Sequence, residues 1–208
     1  HVAFFYLSSF PGEKGVKTAD DFWKQFGKWV HKGTEEFIGE RKGIKRAVEE
    51  IVNPADPPDT KLRKLYERVE QIRNLSTEPS MAEKEEKREK RKENQNVEDV
   101  LKHGYGSSAE INALFAALAR AAGIDASVLY VTDRSRWFFQ PNLLRWGQLS
   151  ASVVLVRLGS ENVFLDLGAR FCPYSLLPWA ITDTRGLRPE KGGGVFVTSP
   201  KPRSTDAV

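Results

Sequence analysis

Cysteine is almost missing from this chain. A single residue, Cys172, occurs among 208, which excludes an intrachain disulfide and any metal site built from several thiolates. Histidine is scarce too. His1, His31 and His103 are the whole supply, no pair of them has the spacing of a metal-ligating motif, and the carboxylates do not gather at ligand spacing. No metal and no cofactor is expected. Long apolar runs are absent, so no stretch has the length of a transmembrane helix. A strong charge imbalance is absent as well: 32 basic and 28 acidic residues leave a formal net charge of +4. That excess is too small to argue for nucleic acid as a partner, and none is expected. A leading methionine is also lacking. The chain opens on His1 and reads as a piece of a longer product, whose start could have carried a targeting signal.

What is present has the composition of a globular protein, with 40% hydrophobic and 29% charged residues, enough for one sizeable core and an accessory region. Residues 1–17 read as the closing strand of a preceding β-rich domain, through the apolar run at 2–7, and then a loop or linker. Residues 18–96 read as a helical accessory region. Thr18 opens a helix carrying Phe22, Trp23, Phe26, Trp29 and Val30 on one face, Gly33 interrupts it, and a second segment continues through Ile44, Val48 and Ile51. The aromatic density resembles a stacking platform, but the helical spacing fits a face that docks on a core. Asp59 or Thr60 is the expected cap of a third helix bearing Leu62, Leu65, Tyr66, Val69 and Ile72. Residues 76–96 have no apolar stripe and alternate in sign, as a solvated connector does.

The stretch from Gly104 to Ile124 reads as one buried helix with both ends written into it. Ser107 and Glu110 form an S-x-x-E capping box, and Gly123 offers the left-handed residue at which helices commonly stop. Ile111, Leu114, Phe115 and Leu118 recur at three- and four-residue spacing, and alanine fills most other positions, so the helix can lie close against a sheet. Strands follow at 126–131, 148–158 and 162–166, the last two joined by a hairpin at Gly159-Ser160, with a final strand at 195–197. The run 153–156 lacks alternation and is expected to be covered on both faces. Between the first two strands, 132–147 is a long loop rich in large residues, the size of a lid or binding loop. Residues 168–190 read as a Pro-punctuated segment wrapping the sheet edge, and 200–208 as a linker or tail.

Gly-Tyr-Gly-Ser-Ser at 104–108, the alanine-rich helix, and Ala-Gly-Ile-Asp-Ala-Ser-Val after it resemble the core of the transglutaminase-like superfamily, whose fold is related to papain. The resemblance covers roughly 97–199. It implies an α+β fold, a central helix packed on an antiparallel sheet, preceded here by the helical region. In active members a cysteine opens this helix, and a histidine and then an aspartate follow on adjacent strands. That pattern puts Ser108 at the cysteine position, Ala151 at the histidine position and Asp166 at the aspartate position. The resemblance further implies a bacterial multidomain protein, exported or in the cell envelope, whose flanking domains belong to the same chain.

The residues themselves weigh against inherited chemistry. A serine becomes a nucleophile only with a general base in hydrogen-bond reach. His103 precedes Ser108 by a short turn and could reach back, but it is not strand-borne, and without a histidine Asp166 has no imidazole to orient. The plainer reading is that Ser107 and Ser108 cap the helix. Cys172 sits between Phe171 and Pro173, an apolar setting that suits a small buried hydrophobe better than a thiolate. Lys191-Gly-Gly-Gly is Gly-rich like a phosphate loop but lacks the GK[ST] ending and the helix. The expectation is a catalytically inactive domain that binds or scaffolds, holding a peptide, protein or glycan in a groove bordered by Tyr105, Ser107, Ser108, Trp137, Phe138, Gln148 and Asp166. The alternative is a divergent hydrolase or acyltransferase using Ser108 or Cys172.

Overall fold

The structure, a computed structural model, describes residues 10, 13–78 and 91–202. Among them are five α-helices: α1 (Ala19–Ile38), α2 (Lys42–Ile51), α3 (Pro58–Val69), α4 (Val97–His103) and α5 (Ser108–Ala121). Two short strands, β1 (Arg73–Asn74) and β2 (Tyr105–Gly106), pair in parallel beside the start of α5. The main sheet holds β3 (Asp125–Val131), β4 (Ala151–Leu158), β5 (Glu161–Leu165), β6 (Arg185–Glu190) and β7 (Gly193–Thr198). Its spatial order is β5-β4-β3-β6-β7, with every pair antiparallel.

The α+β architecture is the expected one, a central helix on an antiparallel sheet. α5 begins at the capping box, where the Ser107 hydroxyl accepts from the Glu110 amide and the Glu110 carboxylate accepts from the Ser107 amide at 2.6 Å. It ends just before Gly123, whose φ is +81°. Leu114, Phe115 and Leu118 are fully buried, each contributing about 1.5–3 kcal/mol of apolar burial. Phe115→Ala should cost this core about 3–5 kcal/mol. The apolar cluster around α5 takes in residues of α2, α3 and α4 together with Ala126, Val128, Val154, Val156 and Leu165 of the sheet. α2 and α3 therefore share one core with the central helix, with no apolar seam at residue 97. The opposite sheet face carries Leu129, Val131, Val153 and Leu155 against Ile181, so 153–156 is covered on both faces, as its lack of alternation predicts.

Three local expectations need correcting. Gly33 does not interrupt α1, which runs on to Ile38 and stops at Gly39 with φ +48°. Burial of Phe22, Trp23 and Phe26 against Leu187 and Phe196 outweighs the roughly 0.5–1 kcal/mol that a mid-helix glycine costs. Neither Asp59 nor Thr60 caps α3. Pro57 is the cap and the helix starts at Pro58, whose ring presets φ, while Asp59 in the first turn pairs with Arg63 at 2.8 Å. Finally, 185–190 is not wrapping but strand β6, which lies between β3 and β7. The strand expected at 1–10 lies outside the described residues except for Phe10, which packs on Phe22 and Phe26. Most of the 76–96 connector and of the 200–208 tail also lies outside them.

Candidate functional site

The three positions implied by the resemblance come together. Ser107, Ser108, Ala151, Ser152 and Asp166 all line one cleft of about 460 Å3 between the α5 N-terminus and the start of β4. The fold explains why. α5 carries Ser108 in its first turn, β4 begins at Ala151, and the antiparallel hairpin returns β5 so that Asp166 follows its last residue.

The Ser108 hydroxyl and one oxygen of Asp166 are engaged by the protein's own groups. The Ser108 hydroxyl donates to the Gly168 carbonyl at 2.8 Å. Asn74 donates its side-chain amide to that same carbonyl at 2.8 Å and to the Ser108 oxygen at 3.2 Å. The Ser108 backbone N–H, an orphan donor of the helix start, donates to the Ser76 hydroxyl at 3.0 Å. Ala151 presents a methyl group, which can neither accept nor pass on a proton. Asp166 is buried, and one of its carboxylate oxygens accepts from Asn112 Nδ2 at 3.1 Å, Gly168 N at 2.9 Å and Ala169 N at 3.1 Å. Burial pushes its carboxyl above the ordinary value, and those three donors pull the other way without cancelling the rise.

Asn112 was invisible as a site residue in the sequence, being one polar position on an apolar helix. It is 1% exposed. Its amide also donates to the Ser152 carbonyl at 2.8 Å, and its oxygen accepts from Leu167 N at 2.9 Å. It thus ties α5 to β4 and to the chain beyond β5. Asn74 and Ser76, which come from the region read as accessory, were equally unforeseen; their contacts to residue 108 span more than thirty positions.

Other expected site residues are placed apart from this cleft. Tyr105 donates its hydroxyl to the Lys92 carbonyl at 2.9 Å and accepts from the Lys92 amide at 2.8 Å. Gln148 is buried and clamps its own loop, accepting from Gln140 N and donating to the Gln140 and Leu143 carbonyls. Trp137 and Phe138 do not line the cleft; Phe138 is 76% exposed, and Arg145 lies over the Trp137 ring at 5.3 Å. The 132–147 loop is anchored by the Trp23 indole, which donates to the Pro141 carbonyl at 2.7 Å.

The two candidate proton acceptors or nucleophiles elsewhere are also accounted for. His103 stacks on Tyr105 with centroids 5.5 Å apart, and its Nδ1 shares a 2.7 Å hydrogen bond with the Asn94 side-chain oxygen. Among the described residues no histidine hydrogen-bonds Ser108 or Cys172. The Cys172 thiol is buried and points its hydrogen at the Leu176 carbonyl, 3.3 Å away, while the Tyr66 hydroxyl donates to the Cys172 carbonyl. Burial, with the Asp166 and Glu70 charges adding to it, pushes the thiol up to about 12. Residues 191–192 form the tight turn between β6 and β7, not a phosphate-cradling loop. Among the described residues no group of three His, Cys, Asp or Glu side chains could hold a metal ion, and no helix is long and apolar enough to cross a membrane.

Comparison with known proteins adds three findings. The model of the transglutaminase-like superfamily matches residues 45–151, about half of the chain. That match includes the Ser108 and Ala151 positions and stops short of Asp166. A crystal structure from Parabacteroides distasonis, described as a candidate protease, superposes with a TM-score of 0.55 at 13% identity. The superposition covers 83% of this chain but only 31% of that protein, so the chain spans about a third of its length. No curated protein matches the chain.

Proposed function

The chain belongs to the transglutaminase-like superfamily, and we propose that in this member the acyl-transfer chemistry is lost while the cleft is kept for binding. The observation that carries the reading is the Ser108 hydroxyl, whose hydrogen is held by the Gly168 carbonyl at 2.8 Å. Acyl transfer needs an activated nucleophile and a base that takes its proton and later returns it to the leaving group. A carbonyl oxygen cannot take that proton, and Ala151, at the position that the resemblance gives to the histidine, offers only a methyl group. Asp166 has no ring to orient, and its bonded oxygen serves Asn112 and two loop amides. The elevated Cys172 thiol stays protonated near neutral pH, which argues against it as a substitute. What is left is a cleft with serine-lined, hydrogen-bonding walls, suited to holding a peptide, protein segment or glycan as one module of a longer bacterial protein.

The test is turnover. Incubation with a fluorescent amine and a glutamine-containing peptide, and separately with peptide and ester libraries, is expected to give no product above a Ser108→Ala control. Product formation by the unaltered chain that Ser108→Ala or Cys172→Ala abolishes would overturn the reading.

A further inference from the structure

We propose that the apolar cavity beside the Ser108 cleft receives one large apolar side chain of an extended peptide whose backbone lies in that cleft. The proposal rests on the binding reading of the cleft and names what the cleft holds. The cavity, about 550 Å3, lies between α1 and α5, with Phe26, Trp29, Phe37 and Trp146 among its walls. It abuts the cleft directly, for Ala109, Tyr130 and Leu149 line both. Trp29 and Trp146 remain 39% exposed, each ring packed against Phe26 at 5.9 and 6.2 Å. The volume is that of a side-chain or small-ligand pocket, dominated by aromatic surface. Its α1 wall precedes residue 45, outside the segment matched by the family model.

Gly33 gives a handle on the cavity. It lines the cavity from the middle of a 20-residue helix, where glycine is a poor helix former. Gly27, six residues earlier, is required by packing, because a Cβ there would meet the Gly194 backbone at 2.3 Å. Gly33 has no such neighbour: a Cβ would meet nothing within 4 Å, and no unusual φ requires glycine. Gly33 is exposed and the space beside it is open, so a larger side chain introduced there meets no clash.

Charge selects the occupant. Among the described residues the cleft is lined by Ser76, Ser107, Ser108, Ser150 and Ser152 and by no lysine or arginine, and the one carboxylate among them, Asp166, is buried. A phosphate or carboxylate head group would meet no countercharge from the described lining. At the cavity rim, Lys32 pairs with Glu36 at 3.7 Å and Glu110 is held in the capping box. A peptide backbone is uncharged and both donates and accepts hydrogen bonds, which matches serine-lined walls; an apolar side chain matches the cavity.

The experiment uses the 208-residue chain and blocked pentapeptides with Phe, Leu, Asp or Gly at the centre of a Gly-rich frame. Calorimetry and tryptophan fluorescence read binding. The Phe and Leu peptides are expected to bind, with the Gly and Asp peptides about tenfold weaker or more, the loss of one buried apolar side chain. Gly33→Leu should remove that preference, whereas Gly33→Ala should keep it, and both variants should melt no lower than the parent. Equal binding of all four peptides, an unchanged preference in Gly33→Leu, or saturable binding of cellohexaose in place of the peptides would overturn the proposal. Cleavage of a bound Phe peptide would sink the inactive reading and leave the pocket standing. Absence of both binding and cleavage would sink the pocket and leave the inactive reading standing.

Discussion

The side-chain amide of Asn112 donates to the Asp166 carboxylate at 3.1 Å from the buried face of the central helix. The same residue holds the Ser152 carbonyl and the Leu167 amide. The aspartate of the expected triad is therefore a joint between helix and hairpin, where α5, β4 and the chain after β5 meet.

Asn112→Ala should destabilise the fold by about 3 kcal/mol, since it strands several buried polar groups at once. Urea unfolding measures this, and a loss below about 1 kcal/mol would contradict the role assigned to the joint. Asn112→Asp keeps the shape but sets a second carboxyl beside Asp166. Its deficit should be large at neutral pH and shrink in acid, where both carboxyls are protonated.

Asp166 makes a separable prediction about pH. Burial raises its folded-state value above the ordinary 3.8, so its neutral form is favoured by folding. The stability it contributes is complete below about 3.8 and is lost as pH rises through the elevated folded value. Asp166→Asn keeps an oxygen acceptor for the amides and has nothing to ionise. The stability of Asp166→Asn relative to the parent should therefore rise from acid pH to neutrality. A difference that stays flat, or falls, would mean that the native carboxylate is better stabilised than the burial argument allows.

What the sequence disclosed was mostly local. The Ser107–Glu110 box, the Gly123 stop, the Thr18 helix start and the Gly159-Ser160 hairpin each depend on residues a few positions apart, and each is present. The assembly of Ser108, Ala151 and Asp166 around one cleft came from family resemblance, not from spacing. What stayed hidden was tertiary. Gly33 looked like a break because its neighbours' packing on β6 and β7 is not written near it. β6 was missed because Arg-Gly-Leu-Arg-Pro-Glu has no alternation and contains Pro189. Gln148 looked like a groove residue and is a loop clamp, while Asn112, Asn74 and Ser76 gain their meaning only from partners more than thirty positions away.

Cys172 should be inert in the native chain. With the thiol pushed up to about 12 and bonded to the Leu176 carbonyl, a disulfide-exchange reagent at mildly alkaline pH should label it only after denaturation in guanidinium. Rapid stoichiometric labelling of the folded protein would show an accessible thiolate.

Gly168 lies against the first turn of α5. A Cβ there would sit 2.8 Å from both the Ser108 Cβ and the Ser108 carbonyl oxygen. Gly168→Ala should cost about 1–3 kcal/mol by overpacking and loosen the Ser108 hydroxyl contact. A melting temperature equal to the parent's would show that the loop yields freely there.

The most direct measurement is site-resolved mass spectrometry of the native chain after exposure to a fluorophosphonate, a reagent that reacts preferentially with an activated serine oxygen. No adduct should form on Ser108, and the parent should show no added mass that Ser108→Ala lacks. A covalent adduct on Ser108, removed by that substitution, would mean that a base reaches the hydroxyl and that this cleft still performs acyl chemistry.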